Sequence, residues 1–358
     1  MRVYNFSAGP SMLPMEVLEC AAAELCDFNN HGLSVLEMSH RSKVFNDILQ
    51  EAKYKLRAIL SIPENYHIVF MQGGGTGQFS AVALNLMAGG NADYAITGNF
   101  SRLAAEEASK YGRVNIACSS EDRQYSYIPC QNELKVTPNA SYFHYCSNNT
   151  AYGTTWKYIP ETGGVPVVAD MSSNFLSEPL DISPFSLIYA GAQKNMASAG
   201  LTLAIIRDDL RIRPLSSTPT ILDYTKMIEK DSMPNTPATF NIYILNLMLD
   251  WIKKVGGLQS LIVMNQQKAG LLYDFLDNSS FYLTHAVPDA RSFMNITFRT
   301  NSSELDYKFV SEAEQEGLIN LRGHQVLGGL RASLFNAMPI QGVKKLIEFM
   351  GRFEQNYR

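Results

Sequence analysis

Disulfides are the first thing this sequence lacks. Its five cysteines, Cys20, Cys26, Cys118, Cys130 and Cys146, form an odd set without Cys-x-x-Cys spacing, which excludes a paired secretory framework and a thiolate zinc site. Reduced, mostly buried thiols and no metal are expected. Charge of one sign is missing as well, because 30 Lys and Arg face 34 Asp and Glu for a formal net charge of −4. No broad basic face is offered to nucleic acid or to an anionic membrane. No apolar run approaches the roughly 18 residues of a spanning helix; the densest, residues 201–206, is strand-sized. The N-terminal twenty residues are broken by Asn5, Ser7, Pro10, Ser11, Pro14 and Glu16, so they hold no signal-peptide core. Repeats and low-complexity tracts are absent too. A soluble cytoplasmic chain with neither nucleic acid nor membrane as partner is expected.

What is present is a long and apolar chain. Its 358 residues, 46% hydrophobic and 18% charged, predict roughly two globular domains. Short runs rich in β-branched and aromatic residues, at 67–71, 93–96, 114–117, 142–145, 165–169, 187–189 and 201–206, alternate with longer helical patterns. That alternation predicts an α/β fold, a mainly parallel sheet covered by helices. Helices are predicted over 46–60, 78–87, 241–255 and about 258–276, the third closed by Gly256 and Gly257. Beyond them the pattern turns to α+β, with a strand near 293–298, a helix over 304–316, two short strands and a last helix from Pro339. The organisation expected is a segment 1–14 near the active site, a large domain 15–256 and a smaller domain 257–358, with substrate in the cleft.

Three features carry chemistry. Gly73-Gly74-Gly75-Thr76-Gly77 separates a strand from a helix, where glycine lets backbone approach a ligand and the helix N-terminus offers free N–H groups to phosphate. It matches neither the dinucleotide fingerprint nor the P-loop, and by itself it is equally a tight turn. Lys194 lies in a loop between two apolar runs, where burial lowers an amine's pKa and makes it nucleophilic. Asp170 ends the 165–169 run, at the strand end where open α/β sheets bind ligands; a helix cap is the plainer role. Taken together they are the parts of a pyridoxal phosphate enzyme: a phosphate seat, a carboxylate for the pyridine nitrogen and an amine for the aldehyde.

Several motifs converge on the same reading. Ser39-His40-Arg41, the glycine turn with Gln78-Phe79, His144 to Thr150, Tyr189 to Asn195, Asn235-Thr236-Pro237, Gly323-His324 and Gly328 to Ser333 occur in one order along the whole chain. In these the sequence resembles the phosphoserine aminotransferases, fold-type I, class V pyridoxal phosphate enzymes. The resemblance implies a large domain with a mixed seven-stranded sheet and a smaller α+β C-terminal domain. It implies that Lys194 carries the cofactor and that Asp170 pairs with its ring nitrogen. Gly75, Thr76, Thr150 and Gln193 would hold the cofactor, and Phe100 would stack on its ring where relatives usually have tryptophan. Asn235 and Thr236 would reach the cofactor of the neighbouring subunit, making a homodimer.

On the substrate side, Arg331 would grip the α-carboxylate, with His40, Arg41 and His324 around the distal anion. Thr76, Gln325 and Ala8 depart from the family pattern, and the first two imply a less positive distal pocket. The reaction implied exchanges an amino group between L-glutamate/2-oxoglutarate and O-phospho-L-serine/3-phosphooxypyruvate in L-serine biosynthesis, with a related pyridoxine-pathway substrate as a second role. Rival readings are an alanine–glyoxylate-type aminotransferase, a cysteine desulfurase, which Gln193 before the lysine disfavours, and a phosphate-binding module without chemistry.

Overall fold

A computed structural model describes residues 2–358. All seven apolar runs become strands of one sheet, in the spatial order Tyr66–Met71, Thr202–Arg207, Leu187–Gly191, Val167–Asp170, Phe143–Cys146, Asn91–Ile96, Arg113–Ser119. The strand Thr202–Arg207 runs antiparallel to both neighbours, and the remaining pairs are parallel. Both faces of the central strands are buried, which is why their sequences read as continuous apolar runs instead of alternating.

One face packs under the helices Lys43–Leu60 and Thr239–Lys254, with Phe70, Ile188 and Ile205 in its core. The other face packs under Gly74–Leu86 and Asn99–Ala108, with Val69, Val168 and Tyr189 inside. Burying each such side chain contributes about 1.5–3 kcal/mol. A third core is built on the antiparallel strands Leu283–Thr284, Asn295–Arg299 and Leu330–Ser333, with the helices Gly257–Asn278, Ser303–Gln315 and Ile340–Tyr357 around Ile296, Phe309 and Leu346. The N-terminal segment joins this third unit: Tyr4–Asn5 pairs with Leu318–Ile319, and Phe6 enters its core. Met1 lies outside the described residues.

Two local expectations need correction. Three of the five thiols are exposed, Cys20, Cys26 and Cys130, while Cys118 and Cys146 are buried; the first two lie on or beyond the helix Met15–Ala23, whose inward positions are Val17 and Ala21. Helices also begin earlier than periodicity suggests. Ser42 caps the first turn of Lys43–Leu60 by accepting the Phe45 amide at 3.1 Å, and the glycines before Gln78 form the first turn of Gly74–Leu86 instead of a loop. Among the described residues no helix is long and apolar enough to cross a membrane.

Candidate active site

Because Tyr66–Met71 runs in the same direction as the parallel strands, the loops after Met71, Cys146, Asp170 and Gly191 leave one edge of the sheet. Carboxyl ends of parallel strands are where such sheets collect ligands. Gly73 and Gly74 turn the chain there with φ of +96° and +63°, angles that a side chain would strain. The Gly74 amide donates to Thr202 Oγ1 at 2.8 Å and the Gly77 amide to Gly73 O at 2.9 Å. Among the described residues the Gly75 and Thr76 amides meet no acceptor, so two N–H groups at a helix N-terminus stand free for an anion. A Cβ on Gly75 would stand 3.3 Å from Ser172 Oγ and 3.7 Å from Asp170 Oδ2. The glycine keeps that space clear.

Asp170 is buried and accepts the Ser172 amide at 2.8 Å. Burial raises its carboxyl pKa, while the bonds from Ser172 and the charge of Lys194 pull it back. Lys194 Nζ donates to Thr150 Oγ1 at 3.1 Å and lies 5.7 Å from the centre of the Phe100 ring. Burial lowers this amine to about 8; Asp170 opposes the shift and Arg331 reinforces it. Arg331, on the strand Leu330–Ser333, is only 9% exposed. Its Nη1 reaches the Thr150 carbonyl at 3.4 Å, and its buried Nε has no partner among the described residues. A buried guanidinium without a carboxylate is costly unless a ligand supplies the anion.

These groups share one cavity of about 290 Å³. Gly75, Thr76, Phe100, Thr150 and Asp170 line it, and so do Gln193, Lys194, His324 and Arg331. Burial, then the neighbouring Arg331, lowers the His324 pKa. His40 and Arg41 lie in the turn before Lys43–Leu60, outside this lining. Asn235 donates to Gln72 Oε1 at 3.3 Å and lines a second cavity of about 110 Å³ with Gln72 and Gly73; Thr236 beside it is exposed. Sequence reasoning missed Cys146, Asn148 and Ser172, which also line the larger cavity. For Ser172 a signal existed, since Asp-x-Ser spacing is that of a carboxylate accepting the amide two residues on.

The description aminotransferase class-V matches residues 3–346. The chain belongs to the class V aminotransferase family. The phosphoserine aminotransferase of Azotobacter vinelandii is 47% identical over 357 residues, covering 99% of each chain. The solved phosphoserine aminotransferase of Bacillus circulans subsp. alkalophilus has a TM-score of 0.97 at 43% identity, over 100% of this chain and 99% of that one. The pyridoxal phosphate-bound phosphoserine aminotransferase of Trichomonas vaginalis has a TM-score of 0.94 at 36% identity, over 98% and 100%.

The cavity of this aminotransferase chain fits that cofactor on its own chemistry. Free amides at a helix start suit a phosphate, a buried carboxylate suits a protonated ring nitrogen, and an amine of lowered pKa suits an aldehyde. Since the neutral amine attacks, covalent uptake of pyridoxal phosphate by the cofactor-free chain should accelerate between pH 6 and 9 with a midpoint near 8. Stopped-flow absorbance measures this rate; a midpoint near that of free lysine, about 10.4, would show that burial does not tune Lys194.

Proposed function

We propose that this chain catalyses pyridoxal phosphate-dependent transamination between O-phospho-L-serine/3-phosphooxypyruvate and L-glutamate/2-oxoglutarate, the step that serves L-serine biosynthesis. The observation that carries the reading is the pairing of Lys194 with Arg331 across Thr150: the amine meets the threonine hydroxyl and the guanidinium its carbonyl. A substrate whose α-carboxylate lies on the unpaired Arg331 presents its α-carbon towards the Lys194 amine. Arg331 and Lys194 thereby select an α-amino or α-keto acid and not a simple amine.

Bound in this cavity, the cofactor supplies an electron sink for the charge that develops at the substrate α-carbon. The chain supplies the rest. Lys194 would hold the cofactor through Nζ, and its free amine would take the α-proton on Nζ and return it, an acid–base role matched by a pKa near working pH. Asp170 would keep a proton on the cofactor ring nitrogen, and its burial would keep water from weakening that pair. Arg331 orients the carboxylate through its planar fork. Gly75, Thr76 and Gln193 would hold the cofactor, Phe100 would cover its ring, and His324 would attend the distal anion.

In this reading the protein is a cytoplasmic homodimer divided as 1–14, 15–256 and 257–358. Asn235 and Thr236 complete the cofactor site of the neighbouring copy. Assigning His40 and Arg41 to the distal anion requires a second copy or a movement of their turn, because they do not line their own chain's cavity. A phosphorylated hydroxythreonine of pyridoxine synthesis has the same two anionic ends and is assigned as the second substrate.

Single-turnover amino-group transfer separates the reading from an alanine-specific one. Two charge-assisted hydrogen bonds to a phosphate are each worth about 1.5–3 kcal/mol, so O-phospho-L-serine should react with a kcat/KM at least roughly a hundredfold above that of L-alanine. Equal values for the two would sink the phosphorylated-substrate assignment.

A further inference from the structure

Lys268 has no place in the chemistry above, yet it is one of the most buried charges in the molecule. It is 2% exposed, and among the described residues no carboxylate lies within 4 Å of its ammonium group. Burial lowers its pKa to about 7. The ammonium instead donates to three successive carbonyls, Leu334 at 3.1 Å, Phe335 at 2.9 Å and Asn336 at 3.4 Å. These residues continue directly from the strand Leu330–Ser333 that carries Arg331. One helical turn earlier, Asn265 donates to Asn336 Oδ1 at 2.9 Å and to Ser177 O at 3.0 Å.

The same turn grips the other half of the site. The Asn336 amide donates to Asn195 Oδ1 at 3.0 Å, its Nδ2 donates to Leu176 O at 2.8 Å, and Asn195 Nδ2 donates to Phe175 O at 3.1 Å. Asn195 is the residue after Lys194, and Phe175 and Leu176 follow the Asp170 strand. One buried chain of hydrogen bonds thus runs from Lys268 through the 334–336 turn to the Lys194 loop. Phe335 O also accepts the Met338 amide at 2.9 Å, but among the described residues the Leu334 and Asn336 carbonyls meet no donor other than Lys268, and leaving two buried carbonyls unpaired costs more than leaving one.

We propose that Lys268 is a positioning residue that fixes the spacing between Arg331 and Lys194, and so aligns a carboxylate-bound substrate with the amine. Removing it lets the 334–336 turn relax. The guanidinium then shifts relative to Nζ, and a misplacement of about 1 Å can cost on the order of a hundredfold in rate. The loss falls on substrates held through their α-carboxylate. An amine without one does not use Arg331 and is spared.

The inference rests on the assignment of Arg331 to the α-carboxylate, and the test separates the two. Holoenzyme variants Lys268→Met, Lys268→Arg, Asn336→Ala and Arg331→Met are compared in single-turnover reaction with L-glutamate and with O-phosphoethanolamine, which lacks the carboxylate. Affinity for 2-oxoglutarate is measured calorimetrically on the same proteins. Lys268→Met should lose at least about thirtyfold in kcat/KM for L-glutamate and about tenfold in 2-oxoglutarate affinity, with less than threefold change for O-phosphoethanolamine. Lys268→Arg, which restores donors, should recover part of the loss, and Asn336→Ala carries the test if Lys268→Met does not fold. Equal losses with both amines in Lys268→Met or Asn336→Ala overturn the proposal, and so does a loss under threefold with L-glutamate. If Arg331→Met itself shows no carboxylate-selective loss, it is the assignment of Arg331 that fails.

Discussion

Replacing Lys194 with alanine should abolish steady-state transamination, lowering kcat by at least about 10⁴-fold, since a positioned acid–base group alone contributes roughly 10²–10⁴ and the same side chain also supplies the nucleophile. Two cavity neighbours are poor substitutes, because burial raises the Cys146 thiol well above its usual range and Asp170 is committed to Ser172 on one side. The loss of attachment is readable without turnover. After borohydride treatment, the wild-type peptide containing Lys194 should gain the mass of the cofactor, and the Lys194→Ala peptide should gain none. Cofactor mass on a different peptide, or turnover within tenfold of wild type, would remove Lys194 from its role.

Arg331→Met should produce the second largest loss, with an unusual signature. Breaking a buried pair by removing one partner costs about 3–5 kcal/mol, and each 1.4 kcal/mol is tenfold, so kcat/KM for L-glutamate should fall by roughly two to three and a half orders of magnitude. In the free protein, however, Arg331 has no anionic partner among the described residues and its Nε is unsatisfied, and burial already lowers its pKa to about 10. A methionine of similar reach removes that cost. The thermal midpoint of the variant should therefore equal or exceed that of wild type while activity collapses, as expected where a site is kept strained for its ligand. Scanning calorimetry beside half-reaction rates checks both halves. A midpoint several degrees lower would mean that Arg331 serves the fold and not a substrate.

The sheet was legible because its strands are buried on both faces, so residues 67–71, 187–189 and 201–206 stand out as short apolar runs and all became strands. Helix beginnings were less legible. They depend on single capping contacts, as at Ser42, or on glycines whose positive φ turns the chain into the helix, as at Gly73 and Gly74, and neither leaves a periodic trace. The cysteines show a related limit. Apolar composition says that thiols can be buried, but only packing decides which face of Met15–Ala23 turns inward.

The candidate site divides in the same way. Lys194 and Asp170 announce themselves as polar residues set against apolar strands, and the glycine turn by its repetition. Ser172, Asn148 and Lys268 do not, because an ordinary serine, asparagine or helical lysine looks solvated until its neighbours are known. His144 shows the opposite case. It stands among the motif residues, yet it is buried on the sheet with Nε2 2.8 Å from the Tyr189 hydroxyl, and burial lowers its pKa to about 3, so it remains neutral and does not face substrate.

By itself the sequence determined the fold class and the order of its strands along the chain, because those follow from residue type and local pattern, while the groups proposed to hold cofactor and carboxylate came from the resemblance to a family. Only the tertiary structure decided which of them meet. Lys194 and Arg331 are separated by more than a hundred residues and converge on Thr150, while His40 and Arg41, equally plausible as cations, stay outside that cavity. The physical reason is that proximity across a sheet edge, desolvation and the absence of a protein counter-ion are properties of packing. It is packing that turns an arginine into an unpaired charge awaiting an anion and a lysine into an amine near neutrality.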